Sequence, residues 1–293
     1  MTEIVQSIQQ MKIIECPRDA MQGLTGFIPT EEKVDYLNAL LKVGFDTLDF
    51  GSFVSARAIP QLRDTDQVVE RLDLAHTHTR LLAIVANTRG AVEACRYPAI
   101  RYLGFPLSIS GTFQQRNTNQ SIEEALNTVG DIQELCIKHN KEQVVYISMG
   151  FGNPYKDPYD VDIVADFVDI LTRLGIGIVS LADTIGVSQP GQITYLFKQL
   201  TRQFPKIELG AHLHSNPATA IEKIDAAFKA GCKRFDGALK GFGGCPMADD
   251  ELVGNLATET ILTYLQAQGA RPAIDEQALA NAMAMTDRIF ANH

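Results

Sequence analysis

Short runs rich in Val, Ile, Leu and Phe alternate along the whole chain with longer stretches whose apolar residues recur every three or four positions. The short runs at 12–16, 45–50, 81–85, 100–109, 144–149, 176–181, 207–213 and 234–239 predict eight strands. The longer stretches predict helices between them. Thr30 stands as an N-cap ahead of Glu31 and Glu32, Val34, Leu37, Leu40 and Leu41 share a face, and Gly44 ends that helix. Others begin at about residue 60 and at 88. Ser121 and Glu124 form a capping-box pattern before a helix to about 139. The next covers 161–174, one opens at Pro190, and two more cover 217–230 and 250–266. A last helix, about 274–290, has no strand after it.

Eight strand–helix units of roughly 30–35 residues match the span of an eight-fold α/β barrel. No Pro/Gly/Ser-rich linker divides the 293 residues, so the expectation is one (β/α)8 domain over 1–293 with an extra C-terminal helix. A doubly wound open sheet is the competing architecture.

Lys and Arg number 26 against 35 Asp and Glu, a net charge of −9, which argues against a nucleic-acid partner. No apolar run approaches the ~20 residues that span a bilayer, and residues 1–12 lack the apolar core of a secretory signal. Five cysteines, an odd number with no CxxC pair, fit reduced thiols and a cytoplasmic location.

Active sites of such barrels lie at the C-terminal ends of the strands. The polar residues there are Arg18, Asp19 and Gln22 after the first strand, Asp49 and Ser52 at the second, and Ser148 at the fifth. Asp183 and Thr184 follow the sixth, His212 and His214 the seventh, and a glycine-rich loop with Cys245, then Asn255, the eighth. Residues i and i+2 of a strand face one side, so His212 and His214 present two imidazoles to one point. They read either as ligands of a divalent cation or as a hydrogen-bonded layer inside the barrel. Asp19, from a neighbouring part of a closed barrel, favours the cation, and mixed N/O ligation suits Mg2+, Mn2+ or Zn2+. Arg18 beside it suits a reaction that develops an oxyanion. Cys245 lies outside any apolar periodic face and reads as a catalytic thiol, against the buried inert role of most cysteines. His76 and His78 read as solvated, and His139 as a helix-end charge.

Cys16-Pro-Arg-Asp-Ala-Met-Gln22, Ser52-Phe-Val-Ser55, Asp183-Thr-Ile-Gly186, His212-Leu-His214, Gly241-Phe-Gly-Gly-Cys-Pro246 and Gly254-Asn-Leu-Ala-Thr-Glu259 together resemble the 3-hydroxy-3-methylglutaryl-CoA (HMG-CoA) lyase family of metal-dependent TIM barrels. The resemblance runs in order from about residue 12 to 259. It implies a divalent cation, Mg2+ or Mn2+, held by Asp19, His212, His214 and Asn255. It also implies catalytic roles for Arg18, Cys245, His212 and Asp183, and an acyl-CoA site lined by Gln22, Asp49, Ser52, Tyr146, Ser148 and Thr184. Phe113 with Arg116 and Asn117 resembles the segment near the CoA entrance. The implied reaction cleaves HMG-CoA, or a related 3-hydroxyacyl-CoA, to acetyl-CoA and acetoacetate, in a homo-oligomer of two or more chains.

The chain departs from the family pattern near the cation. Cys16, Ala20 and Met21 replace Gly, Gly and Leu, Asp49 replaces Glu, and Ser215-Asn-Pro-Ala218 replaces Asp-Thr-Tyr-Gly. The loop change removes an acceptor for a ligand imidazole, and Pro217 is expected to open the next helix early. A Claisen-condensing synthase, a 4-hydroxy-2-oxoacid aldolase and a non-catalytic binding protein remain the other readings.

Overall fold

The computed structural model describes residues 11–244, 253–270 and 272–292. Eight parallel strands close into a barrel in chain order, with the last pairing back to the first. They are β1 (Lys12–Glu15), β2 (Thr47–Ser52), β3 (Arg80–Ile84), β4 (Ile100–Ser108), β5 (Glu142–Ser148), β6 (Ile178–Asp183), β7 (Glu208–Leu213) and β8 (Arg234–Gly237). The helices are α1 (Pro17–Gln22), α2 (Thr30–Val43), α3 (Thr65–Val69), α4 (Thr88–Ala94), α5 (Gly111–Thr118) and α6 (Ile122–Lys138). They continue with α7 (Val161–Arg173), α8 (Pro190–Gln203), α9 (Ala220–Lys229), α10 (Thr258–Ala267) and α11 (Glu276–Asn292). The closed barrel excludes the open sheet, and α11 packs on α2 outside it.

Local signals account for most helix ends. Ser121 and Glu124 form the reciprocal capping box of α6, Pro190 opens α8, and left-handed Gly44 (φ 87°) closes α2. Four boundaries differ from the sequence expectation. Thr30 caps nothing: it is the first residue of α2, and its hydroxyl donates to Asp64 Oδ2 at 2.7 Å. The helix expected from residue 60 is one 3-10 turn, Pro60–Leu62, followed by the short α3. Pro217 does not open α9. Asn216 Oδ1 accepts from the amides of Ala218 and Thr219, and this side-chain turn delays the helix to Ala220. The helix expected over 250–266 starts only at Thr258, because Asn255 and Ala257 bridge to His214 and Ala238 in extended form.

The inside of the barrel has two unlike halves. Leu82 and Ile84 of β3, Tyr102 of β4, Val144 and Tyr146 of β5 and Ile178 of β6 form an apolar cluster separate from the core beneath the helices. On the other side, Asp49, His212, Arg234 and Asp236 are all buried. A Cβ on Gly210 would stand 3.0 Å from both Arg234 Cδ and Ser180 Oγ, so this glycine gives Arg234 its room. Arg234 Nη1 donates to Glu208 at 3.1 Å, and Lys12 Nζ donates to the same carboxylate at 2.5 Å. These pairs close the end of the barrel remote from the strand C-termini.

Glu15 is fully buried, accepts from the Leu239 amide at 2.8 Å and from Thr258 Oγ1 at 2.5 Å, and so ties β1 to the segments after β8. Burial pushes its carboxyl up to about 8, against the pull of those two hydrogen bonds. A carboxyl raised above its unfolded value of 4.5 contributes stability below that value and loses it as pH rises through about 8. Glu15→Gln keeps one acceptor and adds a donor but cannot ionise. Its thermal stability relative to wild type is expected to improve by ~1–3 kcal/mol between about pH 5 and pH 8. A pH-independent difference in melting between the two proteins would contradict the assignment.

Candidate active site

The strand C-termini carry a pocket of about 190 Å3. One wall is apolar, with Val54, Ile59, Ile84, Ala86, Pro106 and Phe113. Arg18, Asp19, Gln22, Tyr146, Ser148, Thr184, His212 and His214 supply polar groups. This combination of an apolar body and a few converging polar groups is usual for small-molecule sites.

Arg18 and Asp19 sit on α1, which Pro17 starts directly after β1. Arg18 Nε and Nη2 both donate to Asp49 Oδ2, at 3.0 and 2.6 Å, and Nη1 donates to Asp19 Oδ1 and Gln22 Oε1, both at 2.9 Å. Four of its five N–H groups are thereby engaged among the described residues. Burial pushes Asp19 up, but Arg18, His212, His214 and the Asn255 hydrogen bond outweigh it and hold the carboxyl at about 2. Burial dominates at Asp49, which rises to about 6 despite Arg18.

His212 and His214 leave β7 on one face, as their spacing requires. Their Nε2 atoms lie 3.3 Å apart, and His214 Nε2 lies 3.9 Å from Asp19 Oδ2. Potential donor atoms of Asp19, His212 and His214 all fall within 4.8 Å of one another. Six-coordinate Mg2+ has ligands about 2.1 Å away, so neighbouring donors stand about 3 Å apart and opposite ones about 4.2 Å. The three residues therefore fit one divalent cation. Asn255 stands beside them, its Nδ2 donating to Asp19 Oδ2 at 2.8 Å and to the Phe242 carbonyl at 2.9 Å. A second triad, Cys16, His212 and Asp236, lies within the same limit. Burial, then the charges of Asp236, Asp49 and Asp19, push the Cys16 thiol well up, so it is a poor ligand for a hard cation.

The remaining predicted residues divide. Tyr146, Ser148 and Thr184 reach the pocket, and Thr184 Oγ1 also accepts from the Met149 amide at 2.9 Å. Asp183 is outside the pocket lining and is occupied. It accepts from the Val187 and Ser188 amides, from Ser188 Oγ and from Lys223 Nζ at 2.8 Å, and so fixes the turn after β6. Ser52 is outside the pocket lining, and its Oγ accepts from the amide of Val54, which lines it. Asp49 acts through Arg18. Phe113 and Asn117 line the pocket, whereas the Arg116 guanidinium lies over the Tyr155 ring at 4.8 Å. Cys245 lies outside the described residues. His76 and His78 are exposed, as expected.

Sequence reasoning passed over Asp236 and Lys223. Asp236 Oδ2 lies 3.2 Å from His212 Nδ1. The signal was present in Arg234 and Asp236, two charges at i and i+2 in a strand that a closed barrel buries. Ser215 and Asn216 close on Thr219 and on each other, and the His214 Nδ1 atom has no hydrogen-bond partner among the described residues.

The HMGL-like family profile matches residues 10–286. The chain belongs to this family. It is 32% identical over 266 residues to the hydroxymethylglutaryl-CoA lyase YngG of Bacillus subtilis, covering 91% of this chain and 88% of that one. It is 28% identical to the (R)-citramalyl-CoA lyase of Chloroflexus aurantiacus, covering 90% and 85%. An HMG-CoA lyase of Acinetobacter baumannii, solved with coenzyme A and 3-methylmalate, superposes with a TM-score of 0.90 at 28% identity, covering 99% and 93%. This HMGL-like chain is thus a lyase on a TIM barrel.

One prediction follows from the Asp183 anchorage. Lys223 is 4% exposed and also donates to the carbonyls of Gly186 and His214. Lys223→Met leaves Asp183 buried without its counter-charge and is expected to cost ~3–5 kcal/mol in urea unfolding. A loss below about 1 kcal/mol would show that the pair is dispensable.

Proposed function

We propose that this HMGL-like lyase cleaves HMG-CoA to acetyl-CoA and acetoacetate with a divalent cation, Mg2+ or Mn2+, at Asp19, His212 and His214. The observation that carries the proposal is the convergence of those three donors beside Arg18 on the floor of one pocket. Asn255 completes the cation's surroundings by holding Asp19.

When bound, the cation lowers the pKa of the substrate hydroxyl. A base at the site, His212 or Asp19, takes the hydroxyl proton, the C–C bond to the acetyl carbon breaks, the alcohol carbon becomes the ketone, and the electron pair passes to the thioester as an enolate. Arg18 is held rigidly by Asp49, Asp19 and Gln22, and its remaining N–H serves the thioester oxygen where charge develops. Tyr146, Ser148 and Thr184 orient the acyl chain. Cys245 supplies the proton that turns the enolate into acetyl-CoA. A position two residues before it supports this role: a Cβ on Gly243 would stand 2.9 Å from Asp19 O and 2.6 Å from Asn255 Nδ2. The described part of the glycine loop thus passes against Asp19 and Asn255.

A related 3-hydroxyacyl-CoA is the second reading, favoured by the unpartnered His214 Nδ1 and the self-closed Ser215–Asn216 turn. Comparing kcat/KM for HMG-CoA and citramalyl-CoA with Mn2+ decides between them. An advantage above about a hundredfold for HMG-CoA, roughly 3 kcal/mol, removes the second reading.

Incubation with HMG-CoA and Mg2+ or Mn2+ is expected to release acetyl-CoA, and EDTA to stop it. Arg18→Gln is expected to lower kcat ~100–1000-fold, with little rescue by Lys, which lacks the fork that Asp49 holds. Cys245→Ser is expected to retain Mn2+ binding and lose most turnover, because a serine hydroxyl is a far weaker acid than a thiol. Undiminished acetyl-CoA release by Cys245→Ser would remove the thiol from the reaction.

A further inference from the structure

The two histidines offered to the cation are held in opposite ways. His212 Nδ1 meets Asp236 Oδ2 at 3.2 Å, whereas His214 Nδ1 is buried and has no partner among the described residues. Asp236 is itself fixed. It is 1% exposed, Ser180 Oγ lies 3.4 Å from its Oδ2, and Arg234 Nε lies 4.0 Å from its Oδ1. Arg234 is in turn held by Glu208 at the far end of the barrel. The strand register sets this chain of contacts, since His212 of β7 is the direct partner of Asp236 of β8. The Tyr146 ring meets the His212 ring edge-on at 5.5 Å between centroids and limits its rotation.

We propose that Asp236 is a positioning residue that holds the His212 proton on Nδ1 and so presents a bare Nε2 to the cation. A carboxylate only accepts, so the imidazole nitrogen that faces it is the one that carries the proton. The other nitrogen then points at His214 and Asp19 with its lone pair available to the His214 Nε2, 3.3 Å away, or to a cation. His214 has no such partner and takes its tautomer from what stands at its Nε2. One ligand is thereby preset and the other adapts. A partner on the remote nitrogen of a ligand histidine typically changes metal affinity or activity ~10–100-fold.

The proposal rests on the cation site proposed above, and the described residues also offer a competing arrangement. A cation at Cys16, His212 and Asp236 would make Asp236 a ligand and would use the nitrogen that the proposal protonates.

The test begins on the metal-free protein. Long-range 1H–15N spectra of histidine-labelled protein in mildly alkaline solution, assigned with His212→Gln, are expected to show His212 with Nδ1 protonated and Nε2 bare. A bare Nδ1 in the wild type overturns the proposal without any variant. Asp236→Asn keeps the shape but turns a donor toward Nδ1. It is expected to invert the His212 tautomer and weaken Mn2+ binding ~10–100-fold, followed by electron paramagnetic resonance, with kcat falling more than KM rises. Cys16→Ser is expected to bind Mn2+ within about twofold of wild type. Equal loss of Mn2+ affinity in Asp236→Asn and Cys16→Ser places the cation in the lower triad and overturns the proposal. An unchanged tautomer and affinity in folded Asp236→Asn overturns it as well. If these spectra and affinities come out as expected while HMG-CoA is not cleaved, the substrate reading fails and the positioning role stands.

Discussion

The hold of Arg18 on Asp49 and Asp19 is the interaction from which the candidate site is built. A guanidinium has a fixed fork of donors, and here one part grips β2 while another grips the helix that follows β1. A charge this deeply buried persists only where carboxylates surround it. Arg18 therefore determines where Asp19 stands, and Asp19 in turn meets His214 and Asn255. The contact that positions Asp19 also helps, with His212, His214 and Asn255, to keep it ionised.

The ionic half of the barrel extends that logic downward. Asp236 and Arg234, both buried, and the half-buried Glu208 and Lys12 form a series from beneath His212 to the opposite mouth. In a barrel of parallel strands each of these side chains faces inward because of its place in the alternation. Replacing one leaves its neighbour without a partner in a region that water reaches poorly, so the series is held together by the cost of its own fragments.

Much of this was legible in the sequence, and what was not had particular causes. The eight strand–helix units showed because buried parallel strands are continuous apolar runs between amphipathic helices. His212 and His214 showed because their spacing matches the strand repeat, and Asp19 because it follows a strand at once. Asp236 was hidden, since one carboxylate in a four-residue strand has no periodic signature until closure supplies its partner on β7. Asp183 showed because it follows β6 at once, whereas the Lys223 that holds it, forty residues on, gave no local signal. Helix starts at Thr30, Pro217 and Thr258 differed because side-chain hydrogen bonds to distant residues or adjacent turns outcompeted local capping preference.

The division of the barrel interior into an apolar half and an ionic half has an evolutionary consequence. Residues such as Ile84 and Pro106 form one side of the pocket without joining the hydrogen-bonded network of Arg18, Asp19 and His212. Substitutions there need not break any buried pair, and effects at well-separated sites without shared partners tend to add. A lineage can therefore reshape the cavity for a new acyl branch in small independent steps. The ionic side allows no such gradual path, because its buried members hold one another, as Arg18 holds Asp49 and Asp19. Divergence within a barrel of this kind is expected to accumulate on one wall while the opposite wall keeps its chemistry.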